Sequence, residues 1–152
     1  MRRALAQADL APLHGDVPVG AVVVSEDGRL LAEEHNRREE LGDPTAHAEI
    51  LAIRRATQAS GGWRLAGASV IVSLEPCAMC AGALVNARIS RLVFGAFDPK
   101  AGAVCSLFGI GSDARLNHRF TIQSGVMADE GGARLSSFFA QLRRSRAALS
   151  SL

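Results

Sequence analysis

Three short β-branched runs, VPVGAVVV (17–24), ASVIVSL (68–74) and RLVFGA (91–96), punctuate this chain, with helix-compatible stretches between them. Apolar runs of this length, bounded by turn residues, predict strands buried on both faces. Strands that alternate with helices restrict the fold to an α/β domain with helices layered on both sides of a sheet. SEDG (25–28) is a turn signal, so RLLAEEHNR (29–37) is expected to return as a hairpin partner of the first run. FTIQSG (120–125) offers a last strand.

The helices follow from the punctuation. REELGDP (38–44) reads as a loop, Thr45 as the cap of a helix over 46–59, and SGG (60–62) as its stop. Pro76 is expected in the first turn of a helix running to Asn86. A closing helix spans 128–146, and Leu135, Phe138, Phe139 and Leu142 recur at the spacing of a core-facing stripe. Trp63, between helix and strand, reads as a packing anchor, and Cys105 as a small packed side chain. Residues 97–119 form a Gly-rich loop, longer than a compact domain carries without a functional reason.

The 152 residues predict one domain over 1–152. The first ten residues read as a short amphipathic helix, because Asp9 and the brevity of the apolar run argue against a signal peptide. No apolar run approaches the roughly 18 residues of a membrane span, so no membrane partner is expected. Three cysteines make no disulfide framework and point to a cytoplasmic thiol or metal role. A net charge of +2 permits a nucleic-acid partner without demanding one.

Two segments carry chemistry. In LEPCAMC (74–80), Cys77 and Cys80 stand three apart at a predicted helix start, which puts both sulfurs on one side of the first turn. Alone, the pair is weak evidence for a catalytic metal and also reads as a redox dithiol or as half a structural zinc site. No second CxxC completes a closed site. In PTAHAEIL (44–51), His47 also opens a helix after a strand and loop. If the strands 17–24 and 68–74 are neighbours, both helix starts emerge at one sheet edge and their side chains can meet. Three protein ligands plus water is the catalytic zinc arrangement, whereas structural zinc is closed by four. Glu49, two residues past His47, then reaches a zinc-bound water as a proton shuttle. Taken alone, His47 and Glu49 would read as a capping and solvated helix start.

His47-Ala48-Glu49 followed by Pro76-Cys77-Ala78-Met79-Cys80 is the signature of the zinc-dependent nucleobase deaminases. Beyond it, VPVGAVVV, HNR, DPTAHAEILAIR, SLEPCAMCAGALVNARISRLVFGAFDPKAGA and LNHR closely resemble the bacterial tRNA-specific adenosine deaminase family. GVMADE and the Phe-Phe near the end extend the resemblance over most of the chain. It implies a three-layer α/β/α cytidine-deaminase-like fold with a central five-stranded mixed sheet. It implies one Zn2+ per chain on His47, Cys77 and Cys80, with Glu49 catalytic. It implies a cytoplasmic homodimer that converts the wobble adenosine of a tRNA anticodon stem-loop to inosine. Substrate contacts are expected at Asn36, Ala48, Asp98, Lys100, His118, Phe139, Arg143 and Arg144.

Plainer readings stand beside several of these. Asp98 and Lys100 also read as a solvated turn at DPKAG, His118 as a loop residue capping local backbone, and Arg143 and Arg144 as cations favouring a helix C-terminus. Two rivals remain for the function: a deaminase of a free base or nucleotide (guanine, cytosine or dCMP), and a catalytically silent zinc-stabilised RNA-binding or scaffold subunit. GIGSD (109–113) and the Gly131–Gly132 pair depart from the family pattern.

Overall fold

A computed structural model describes residues 1–150. Strands β1 (Gly20–Val24), β2 (Leu30–His35), β3 (Ser69–Leu74), β4 (Arg91–Ala96) and β5 (Thr121–Gln123) form one mixed sheet in the order β2-β1-β3-β4-β5. β1 runs antiparallel to both β2 and β3, while β3, β4 and β5 are parallel. β2 and β3 therefore point the same way, although β1 lies between them. Helices α3 (Ala48–Ser60) and α4 (Ala78–Asn86) follow β2 and β3, so both begin at the same sheet edge. This is the arrangement that the His47 and Cys77 reading requires.

The period of two along each strand assigns the layers. Ala21, Val23, Val70, Val72, Leu92 and Phe94 point to the side covered by α3 and α4, where the main core lies. Leu84, Ile89, Leu92 and Phe94 are fully buried there. Burying side chains of this size stabilises the fold by about 1.5–3 kcal/mol each. Leu84 and Val85 therefore belong to the core, which leaves neither free for an interface. Helices α1 (Arg2–Ala8) and α5 (Ala128–Leu149) cover the other face, completing the three layers. Gly20 lets α1 approach: a Cβ there would collide with the Ala4 carbonyl oxygen.

Several expectations need correction. The first strand begins at Gly20, because Pro18 has no N–H for a ladder and Val19 N–H turns back to Val17 O at 2.8 Å. Thr45 does not cap α3; its N–H and hydroxyl both donate to Asp43 Oδ1, and His47 takes the cap position. Within 38–44 a short helix forms, α2 (Arg38–Leu41), because Asp16 accepts the N–H groups of Glu39 and Glu40. Pro76 precedes the α4 cap residue Cys77 and stays outside the helix. The stripe on α5 is not a core face: Leu135, Phe138 and Leu142 are half-buried and Phe139 is exposed. Trp63 and Cys105 are exposed as well. No regular element interrupts the stretch between β4 and β5, so the long loop stands as read. No described helix is long and apolar enough to cross a membrane.

The glycine pair on α5 divides in two. A Cβ at Gly131 would stand 2.9 Å from the Ser73 carbonyl oxygen, so this glycine lets α5 lie close on β3. A Cβ at Gly132 would meet nothing within 4 Å. Gly132→Ala is therefore expected to stabilise the fold by about 0.5–1 kcal/mol, and Gly131→Ala to destabilise it. Denaturant midpoints of the two variants check this pair.

Candidate active site

The two helix starts share one geometry. His47 caps α3 with φ −73° and ψ 152°, and Cys77 caps α4 with φ −73° and ψ 175°. Neither side chain is spent on a capping hydrogen bond, and both turn toward each other across the two helix starts. Cys80, one turn into α4, is fully buried behind them. His47 Nδ1 stands 3.7 Å from Cys77 Sγ and 3.5 Å from Cys80 Sγ. Zinc at ordinary Zn–N and Zn–S lengths in a tetrahedron needs an N···S separation of about 3.6 Å. Both N···S distances therefore match those of a zinc site. All three donors lie within 4.8 Å of one another, and no fourth protein donor joins this group among the described residues. The site is consequently of the open kind, with a position left for water or substrate.

The electrostatics agree. Hydrogen bonding from Cys80, opposed by burial and helped by His47, brings the Cys77 thiol down to about 4. Cys80 is pushed up, first by the same sulfur–sulfur contact and then by burial. The pair thus holds one thiolate by itself, and a cation claims both. Glu49 is buried at 4 % exposure, and burial raises its pKa above the ordinary carboxylate value. A carboxyl raised toward neutrality suits a group that must both accept and return a proton.

His47, Ala48, Glu49, Cys77 and Asn36 line one cavity of about 200 Å³. Asn36 is buried; its Nδ2 donates to Val17 O at 3.3 Å, while its Oδ1 has no partner. An unpaired buried acceptor is costly to keep, and here it borders the space beside the metal donors. A second cavity of about 690 Å³ adjoins the first through Val17, Leu74 and Asp98, which border both. Phe97, Lys100, Phe139 and Arg143 line this outer chamber.

The remaining predicted positions divide. Asp98 borders both chambers, and its carboxylate holds the turn by accepting the Lys100 and Ala101 N–H groups at 3.0 and 3.2 Å. Arg144 is exposed on α5 and lines neither chamber. His118 lies elsewhere, bordering a separate cavity, with its Nε2 2.7 Å from Ile89 O.

Two residues escaped the sequence reading. Phe97 is 51 % exposed at the outer chamber and packs edge-on against Phe94. Glu75, buried directly before Pro76, accepts the N–H groups of Asp98, Cys105 and Ser106 and the Ser106 hydroxyl. It is the clasp that holds the long loop against the zinc helix. A Cβ at Gly102 would collide with this carboxylate, which explains the glycine in the loop. The signal was present: a carboxylate at the end of an otherwise apolar strand has to find donors.

Burial alone would raise the Glu75 pKa, but the Ser106, Asp98 and Cys105 hydrogen bonds outweigh it and hold the value below the ordinary carboxylate range. A lowered folded-state pKa means that this contribution is present above the unfolded pKa and is lost as pH falls through the folded one. Glu75→Gln turns some of these contacts into donor–donor encounters and is expected to destabilise the fold by about 2 kcal/mol. Urea titration checks this, and the deficit should shrink as pH is lowered below about 4.

Known proteins share this sequence and fold. A model of the cytidine and deoxycytidylate deaminase zinc-binding region matches residues 1–96. A tRNA-specific adenosine deaminase of Bacillus subtilis (strain 168) is 46 % identical over 148 residues, covering 97 % of this chain and 91 % of the relative. A solved structure from studies of A-to-I editing by tRNA:A34 deaminases superimposes with a TM-score of 0.85 at 47 % identity, covering 89 % of this chain and 97 % of the other. A guanine deaminase from Nitrosomonas europaea is more distant, with a TM-score of 0.75 at 25 % identity, covering 90 % and 81 %. With its open His-Cys-Cys triangle in place, the chain belongs to the cytidine and deoxycytidylate deaminase zinc-binding family and, within it, to the tRNA-specific adenosine deaminases.

Proposed function

We propose that this protein hydrolyses the wobble adenosine of a tRNA anticodon to inosine, releasing ammonia. One observation carries the reading: a small chamber beside the zinc donors adjoins a larger one lined by aromatic and cationic side chains. The inner chamber takes a single base. The outer one offers Phe97 and Phe139 to flanking bases and Lys100 and Arg143 to phosphates. A free base would use only the first. Anticodon loops present bases already splayed from the helix, so little unpairing energy is required.

His47, Cys77 and Cys80 would hold the zinc, which would supply a water acidic enough to lose a proton near neutral pH. Glu49 accepts a proton from the attacking water and places it on adenine N1, which opens C6 to attack by the water oxygen. Glu49 then moves the hydroxyl proton to the exocyclic nitrogen. The C6–N6 bond breaks, ammonia leaves, and C6 keeps the oxygen. Asn36 Oδ1 is the acceptor that orients the base, and Ala48 forms part of the wall beside Glu49. Asp98 positions Lys100 through the turn that it holds. Arg144 and His118, outside both chambers, would meet RNA beyond the target base.

We further place the enzyme in the cytoplasm as a homodimer of one-domain subunits. Met79, Leu107 and Phe108 are exposed apolar side chains that a second copy would cover. Sedimentation equilibrium tests this.

The function is tested by a side-by-side assay of an anticodon stem-loop, guanine and cytidine. Deamination of the stem-loop alone is expected, and turnover of guanine or cytidine with an unchanged RNA would overturn the reading. Binding of RNA without ammonia release would favour the silent subunit instead. Asn36→Ala removes one base contact and is expected to lower kcat/KM on the stem-loop about tenfold.

A further inference from the structure

A second cluster of metal-ligating side chains lies outside this machinery. His14 ends the 3-10 turn Ala11–His14, His35 ends β2, and Glu40 lies in α2. Their donor atoms all fall within 4.8 Å of one another. His14 Nε2 is 3.2 Å from His35 Nε2 and 3.2 Å from Glu40 Oε2. Two imidazole nitrogens on one tetrahedral zinc stand about 3.3 Å apart.

The far side of each ring is already engaged. His14 Nδ1 is 2.9 Å from the buried Asp16 carboxylate, and His35 Nδ1 is 3.1 Å from Gln7 Oε1. Both partners are acceptors, so each Nδ1 donates to its partner and each Nε2 is the ring atom turned toward the cluster. Two imidazole Nε2 atoms and a carboxylate oxygen converge on one point. This is the outer support that ligating histidines ordinarily have, a carboxylate or carbonyl on the opposite nitrogen. Arg37 shares the Glu40 carboxylate at 2.7 and 3.0 Å, so the cation would divide this ligand with a guanidinium.

We propose that His14, His35 and Glu40 form a second divalent-metal site that takes zinc or another imidazole-seeking ion. Half-buried and open to solvent, it joins the N-terminal 3-10 turn, the end of β2 and α2. His35 immediately precedes Asn36, so an ion here stiffens the segment that carries the base-orienting side chain. The site depends on these three side chains and is independent of the substrate.

The test is metal titration of the zinc-loaded enzyme. Calorimetry with Zn2+ should show one further equivalent per chain beyond the catalytic one. His35→Asn and His14→Asn should each abolish that equivalent while retaining the first. Asp16→Asn should weaken it about tenfold to a hundredfold, as loss of an outer partner does. Should these variants fail to fold, Cu2+ added to the wild-type holoenzyme decides by paramagnetic resonance: hyperfine coupling to two imidazole nitrogens is expected. No further equivalent at large zinc excess would overturn the site, leaving only a proton shared between the rings. So would an equivalent that persists in both histidine variants, or a copper signal without nitrogen coupling.

Discussion

Replacing Glu49 with glutamine is expected to leave the catalytic zinc in place and to lower kcat on an anticodon stem-loop about 10³-fold. The amide keeps the volume and the burial but can no longer accept and return a proton, and general acid–base transfer of this kind contributes roughly 10²- to 10⁴-fold. Its side chain is not among the three donors, so metal content should not change. The residue is buried at the floor of the cavity, with a pKa raised by burial, so bulk solvent cannot easily substitute for it. Single-turnover deamination beside metal analysis of the same sample checks both halves. Undiminished turnover would remove Glu49 from the proton pathway. Loss of zinc would make it a ligand or a support for one.

The second large effect concerns the metal. Stripping zinc with a chelator is expected to abolish deamination and lower the melting temperature, both restored by added zinc. A ligand held a thousandfold above its Kd stabilises by about 4 kcal/mol. In a chain of this length that corresponds to a fall on the order of 10 °C. The stabilisation comes from joining two helix starts that otherwise bring a thiolate, a buried thiol and an imidazole together without a counter-ion. Cys80→Ala should mimic the stripped protein and resist rescue by zinc. A chelated protein that melts unchanged and still releases ammonia would rule out the metal's role.

The layered fold and its sheet were legible because β-branched runs and their turn signals do not depend on distant contacts. Boundaries were less so. Thr45 has the right chemistry for a cap, but Asp43, two residues earlier, satisfies its donors first. α2 was invisible, because the group that nucleates it is Asp16, more than twenty residues earlier in the chain. The metal donors were legible because the requirement is local: two side chains at one helix start and one at another, on strands that run the same way. The outer chamber was not. The i, i+3, i+4, i+7 stripe on α5 is the pattern of a core face, yet the sheet beneath it is already filled, and Phe139 is left facing a cavity. The Gly131–Gly132 pair looked like one defect. Tertiary contact separates it into a required close approach and an open position, a difference that helix propensity alone cannot express.

The chemistry depends on an open zinc site with its free position toward Glu49, and anomalous diffraction at the zinc edge shows that position without an intermediary. A peak bonded to His47 Nδ1, Cys77 Sγ and Cys80 Sγ, with a solvent oxygen as fourth ligand within reach of the Glu49 carboxylate, is the expected result. A fourth protein donor on that zinc, or a Cys77–Cys80 disulfide with no metal beside it, would refute the open site and the deamination built on it.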